Sequence, residues 1–198
     1  MNGIKHSYHR TVGPTFEPVT IDEAREQARG VEGVDDALLA GYIVAARVAM
    51  ERELGAAILT QTWVLRLDLF PCWEIPLPVP PLASVASIKY QDVNDVEQTV
   101  APADYVVDAH AQPVGRVVPA YGHVWPSTYP MPNAVTITYV AGVGTRGEVD
   151  EEVRQAILAG VASRYENREA DSDKALLRLP AWSDVVANLR CRWAPEYH

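Results

Sequence analysis

Residues 59–70 read LTQTWVLRLDLF, and within this stretch the periodicity of the chain changes. Leu59, Gln61, Trp63, Leu65, Leu67 and Leu69 fall on one side, and Thr60, Thr62, Val64, Arg66, Asp68 and Phe70 on the other. Alternation at every second residue marks a half-buried strand. Upstream the period is that of a helix. Leu39, Ile43, Ala46, Met50 and Leu54 recur at the i, i+4, i+7 rhythm of one buried stripe, which predicts a helix over residues 36–54. Asp35 or Asp36 supplies its N-cap, and Gly55 stands where a left-handed C-terminal residue is needed. Thr20 and Glu23 have the spacing of a capping box and open a shorter helix over residues 20–29, which Gly30 and Gly33 end.

Beyond the alternating stretch, five prolines fall between residues 71 and 81. Proline cannot donate to a sheet ladder and breaks a helix, so this segment is expected to be an extended edge or a connector. Strand-like runs follow at residues 85–90, 99–100, 105–108, 116–118 and 134–141; in the last, Val135, Ile137 and Tyr139 alternate with Thr136 and Thr138. Helical spacing returns at Asp150, followed by Glu151 and Glu152 at the positive end of the helix dipole. Val153, Ile157, Val161 and Tyr165 make the stripe of a helix over residues 150–169. Helices on both sides of a strand block each carry a face that neither buries alone. The expected fold is therefore α+β, a small helical core interrupted by an all-β insertion of short antiparallel strands. Its parts are an N-terminal arm (1–18), the helical core (19–56 with 148–178), the β insertion (57–147) and a C-terminal arm (179–198).

The chain has 198 residues and 21.8 kDa, with 48% hydrophobic and 22% charged residues, a globular balance. Its net charge is −9, from 17 basic and 26 acidic residues, which argues against a protein that binds duplexes by neutralising phosphates. The charge is uneven. Residues 1–173 carry 13 basic and 24 acidic residues, whereas residues 174–198 carry four basic and two acidic ones, a basic, Trp-bearing end on an acidic body. Two cysteines, Cys72 and Cys191, form no disulfide framework, and a reducing compartment is expected. The N-terminus lacks an apolar signal region, and the most apolar stretch, residues 38–50, contains Arg47 and is too short to span a bilayer.

Candidate chemistry is sparse. Gly142, Gly144 and Gly147 in GVGTRG match the glycine spacing of a dinucleotide loop. However, Glu148, Asp150, Glu151 and Glu152 would meet a pyrophosphate with carboxylates, and no second strand follows to complete the βαβ unit. His6 and His9 have metal spacing only on a helix, which Gly3, Gly13 and Pro14 oppose. Asp92, Asp95, Glu97, Asp104 and Asp108 sit in turn-like contexts. Cys72 lacks a basic neighbour, and Trp63, Trp73 and Trp125 are expected as buried anchors of a small sheet. No catalytic group, cofactor or metal is expected.

Six segments in order, ERELGAAILTQTW (51–63), PLPVPPLASVASIKY (76–90), DYVVD (104–108), VWP (124–126), AVTITYVAG (134–142) and RQAILAGVASRYENRE (154–169), resemble the head–tail connector proteins of long-tailed bacteriophages and gene transfer agents, also called adaptors or head-completion proteins. The resemblance implies a structural virion protein and not an enzyme. It implies a homo-oligomeric ring, typically a dodecamer, fixed beneath the portal protein in the neck and assembled in the bacterial host cytoplasm. Such a ring extends the channel through which double-stranded DNA passes without being specifically bound, touches no membrane and receives a stopper or other neck protein. It further implies that the C-terminal arm reaches the portal, with Trp182, Leu189, Arg190, Arg192, Trp193 and Tyr197 as docking groups. The helical core would form the ring, with Leu39, Ile43, Met50, Leu54, Ile157, Val161 and Tyr165 as core or ring-packing groups. The alternatives are a neck stopper or tail-terminator, which would put the β insertion at the ring centre, and a small enzyme using the GVGTRG loop or the strand-block carboxylates.

Overall fold

The alternating stretch becomes a strand second from the edge of a five-stranded antiparallel sheet. The computed structural model describes residues 5–27, 35–111, 114–166 and 180–193. These form β1 (His6–Val12), α1 (Ile21–Gln27), α2 (Asp36–Leu54), β2 (Gln61–Leu67), β3 (Ile75–Pro76), β4 (Leu82–Gln91), β5 (Glu97–Thr99), β6 (Tyr105–Asp108), β7 (Arg116–Pro119), β8 (Val135–Ala141), α3 (Glu151–Glu166) and α4 (Pro180–Trp193). The fold is mixed α+β, as the change of period predicts. By its contacts the chain divides into two compact units, residues 1–13 with 60–142 and residues 14–59 with 143–198.

In the first unit the larger sheet runs β1-β2-β8-β4-β5, and a smaller one runs β3-β7-β6, with every pair antiparallel. Register follows the pleat. Leu65 pairs with Ile137, and Ile137 with Ile88, placing three fully buried side chains in one cross-strand row. Gln61, Leu65 and Leu67 are buried as the alternation requires, whereas Trp63 is only half-buried and Leu69 is exposed. The proline-rich stretch contributes only the two residues of β3, at the edge of the smaller sheet, where a missing N–H costs least.

Residues 6–12, grouped by the sequence with an N-terminal arm, are instead strand β1, hydrogen-bonded along β2. Their side chains are exposed throughout, so no apolar alternation marks them. The backbone ladder and a tilted contact of Tyr8 with Trp63, with ring centroids 6.1 Å apart, hold them.

In the second unit α1, α2, α3 and α4 share one core. Leu39, Ile43, Met50 and Leu54 from α2 meet Ile157 and Val161 from α3, all buried, while Tyr165 is half-buried. Asp35, not Asp36, caps α2, its carboxylate accepting the Ala37 amide at 3.0 Å, and Gly55 closes the helix at φ 65°. The Thr20–Glu23 capping box forms at α1. The Thr20 amide donates to Glu23 Oε2 at 2.6 Å, and the Glu23 amide donates to Thr20 Oγ1 at 3.1 Å.

Arg47 lies on the buried side of α2 at 3% exposure. A charge there is tolerable only when paired. Its guanidinium donates to Glu17 and to Glu51 at 2.7 Å each, and the second oxygen of Glu51 accepts the Ile58 amide at 3.1 Å. Desolvation pulls its pKa down, but the Glu17 hydrogen bond and the two carboxylate charges hold it above the ordinary value.

Candidate functional site

The residues proposed for partner docking start from the C-terminal segment, and most of those described serve the chain itself. Trp182 is 1% exposed and Leu189 4%, both inside the helical core with Val185 and Val186. The spacing of these four is i, i+3, i+4, i+7, so the segment 180–193 is an amphipathic helix and not a free arm. The indole Nε1–H of Trp182 donates to Glu53 Oε2 at 2.8 Å. Arg190 donates from Nε and Nη2 to the Glu53 carbonyl, at 3.2 and 2.7 Å, placing a cation on the negative C-terminal end of α2. Arg192 and Trp193 lie within α4, and their side chains are outside the description; Tyr197 is outside the described residues.

The glycine-rich loop carries its own anion. The Glu148 carboxylate accepts the Thr145 amide at 2.6 Å and the Thr145 hydroxyl at 2.9 Å, a second capping box. A Cβ on Gly144 would stand 2.3 Å from Glu148 Oε2, and Gly144 sits at φ 109°, so glycine here makes room for that carboxylate. The Thr145 amide bond holds the Glu148 carboxyl below the usual carboxylate range, helped by the hydroxyl and opposed by desolvation. The Thr145 amide and hydroxyl, which a phosphate could use at this turn, are thus taken.

The strand-block carboxylates act in turns and edge pairs. Asp92 accepts the amides of Asn94 and Val96 at 2.8 and 3.1 Å, and those bonds, Val96 first, lower its pKa. Glu97 pairs with Lys89 at 2.8 Å, and Asp108 with Arg116 at 3.2 Å. His6 and His9, three apart on a strand, point to opposite faces of the sheet. Among the described residues, no three His, Cys, Asp or Glu side chains gather as a metal site. No described helix is long and apolar enough to cross a membrane.

What the surface does offer is apolar. Trp73, expected as a buried anchor, is 61% exposed, and Tyr121 and Val124 are exposed on another loop of the β unit. Trp125 stacks on Phe70 with centroids 5.0 Å apart and planes 3° from parallel, and its Nε1–H donates to the Trp73 carbonyl. Together Leu69, Phe70, Cys72, Val124 and Trp125 line an open cleft of about 360 Å³. A second apolar surface lies on α2, where Leu38, Val44 and Val48 are exposed on the side turned away from the core. The five-stranded sheet is different. Its outward face carries the row Ser7, Arg66, Thr136, Lys89 and Thr99 across all five strands, with His9, Thr138 and Ser87 in the next around a buried Val64.

No family model matches the chain, and no curated relative does. Solved structures do. The chain is similar to one in the virion of a native gene transfer agent (GTA) particle, at 22% identity and TM-score 0.70 over 96% of both chains. It is similar to one in the neck of the empty GTA particle computed with C6 symmetry, at 22% identity and TM-score 0.73 over 97% of both. It is also similar to one in the neck of the native GTA particle computed with C12 symmetry, at 23% identity and TM-score 0.74 over 97% of both. Helical unit and strand block alike are shared with those chains from end to end, and at this identity what is shared is the fold.

Proposed function

We propose that this chain is a structural protein of a particle neck, an adaptor that forms a ring of copies beneath a portal, extends the DNA channel and receives the next neck protein. The observation that carries the reading is the whole-chain likeness, 97% of both chains at TM-score 0.74, to a chain in a GTA neck computed with C12 symmetry. Likeness over the full length leaves no part of this fold unaccounted for. A role exercised by assembly also fits the chemistry described above. The glycine loop is filled by Glu148, the carboxylates serve turns and edge pairs, and the exposed features are apolar surfaces of the kind that proteins bury together. A net charge of −9 suits a channel wall past which DNA must slide, because like charge prevents phosphates from adhering.

The test is co-elution of the full chain with the portal protein of its particle and, separately, with the tail-tube protein. An adaptor co-elutes with the portal. A chain that ignores the portal and captures tail tube is a terminator, and the adaptor reading falls.

A further inference from the structure

Helix α2 is apolar on both sides. Leu39, Ile43, Ala46, Met50 and Leu54 face the core and are buried. At about 100° per residue, Ala37, Leu38, Gly41, Val44 and Val48 fall on the far side, within about a third of the circumference, and all five are exposed. Leu38 is 37% exposed, Val44 40% and Val48 39%. Arg52, near the C-terminal end, is the one charged residue on that line. A helix that is apolar on both sides belongs in an interior, and among the described residues only one of its faces is covered.

Helix α3 has the opposite character on its far side. Glu151, Glu152 and Gln155 are exposed in its first turns, and Ala159, Ala162 and Ser163 are half-exposed beyond them. The α2 line is bulky and ends in a cation, whereas the α3 line begins in carboxylates and continues in small side chains. Laid antiparallel, Arg52 falls against Glu152, Val48 against Gln155, Val44 against Ala159, and Gly41 against Ala162 and Ser163. The lines 41–52 and 152–163 have the same length, with Leu38 one turn beyond. Two unlike faces on one chain make a heterologous contact, which repeats head to tail and closes into a ring when the rotation allows.

We infer that the outward face of α2 docks on the outward face of α3 of a neighbouring copy, and that this contact is the helical seam of the ring. The inference rests on the ring reading above and deepens it by naming the faces that meet. The contact is built from residues outside the core, whereas Leu39, Ile43, Met50, Leu54, Ile157 and Val161, offered by the sequence as core or ring-packing groups, pack inside the single chain.

The test uses the full chain with Cys72→Ser and Cys191→Ser, carrying Val44→Cys, Ala159→Cys or both. Its mass is measured by light scattering, alone and on the portal, followed by mild oxidation and a non-reducing gel. The expected result is a multimer whose double variant gives a covalent ladder from dimer upward, while each single variant gives none. A multimer with no ladder overturns the α2–α3 seam and leaves the ring reading standing. A monomer in both settings overturns the two together. Charge reversal gives an independent check. Arg52→Glu shifts the multimer toward monomer at low salt, with thermal unfolding still cooperative, and Glu152→Arg added to it restores assembly. Arg52→Glu without effect on mass removes the antiparallel alignment.

Discussion

On helix α2 the residues turned away from the core are Ala37, Leu38, Gly41, Val44 and Val48; on the five-stranded sheet the row turned away from the buried one is Ser7, Arg66, Thr136, Lys89 and Thr99. Both elements bury one face equally well. Leu65, Ile88 and Ile137 are as completely covered in the sheet as Leu39 and Met50 are in the helix. They differ in what they leave outside. An antiparallel sheet with hydroxyls and cations outward is finished once one side is covered, because water satisfies the other. A helix with valine and leucine outward still exposes apolar surface whose burial is worth roughly 25 cal/mol per Å². The comparison thus separates folding from the proposed assembly within one chain: the sheet and the inner side of α2 serve folding, and the outer side of α2 is the surface assigned above to association.

Substitutions at these places sharpen or break the contrast. The largest effect is expected from Trp182→Ala, which empties the fully buried site between α4 and the rest of the helical core. It should cost about 3–5 kcal/mol by chemical denaturation. If instead it leaves stability intact and abolishes portal binding, α4 is a docking arm after all. Arg47→Ala should cost about 3 kcal/mol, because it leaves Glu17 and Glu51 facing each other, with Glu51 largely buried. Val48→Asp, on the far side of the same helix, should change monomer stability by only about 0.5 kcal/mol yet reduce assembly in light scattering.

Glu23→Gln sits between these extremes. The Thr20 amide bond, the Thr20 hydroxyl and Arg154 hold the Glu23 carboxyl below its ordinary value of 4.5, against the opposing effect of burial. A depressed carboxylate pKa stabilises the fold above the unfolded value, and that stability is lost as pH falls through the folded one. The wild type should therefore exceed Glu23→Gln by about 1 kcal/mol near neutrality, and the gap should close below pH 4.5. A gap that stays constant to low pH would assign the effect to shape and not to charge. Thr138→Val, on the outward face of the sheet, should be the quietest, within about 0.5 kcal/mol and without effect on mass in solution. If it drives association instead, the sheet face is as close to a partner surface as the helix face, and the contrast fails.

Much of this architecture was legible because periodicity reports burial. The change of period at residues 59–70, the α2 stripe, the Thr20–Glu23 box and the run at 134–141 each had a local cause that the structure keeps. What escaped had no such mark or had two readings. Strand β1 is held mainly by backbone pairing, and HSYHRTV presents no apolar side to detect. Trp182, Val185, Val186 and Leu189 are spaced as a core stripe, but among arginines and tryptophans they also read as an interface. Leu38, Val44 and Val48 were equally visible. On a helix apolar all round, however, spacing does not say which stripe is inside. The Thr145–Glu148 box lay hidden beneath the glycine pattern that contains it.

The central claim is that this fold works by assembling into a ring on a portal. Its most direct test is the mass of the purified full chain by light scattering after gel filtration, alone and mixed with the portal protein. The account expects a species near twelve subunits, or co-elution of many copies with the portal. A chain that remains monomeric and ignores the portal at every concentration would contradict it.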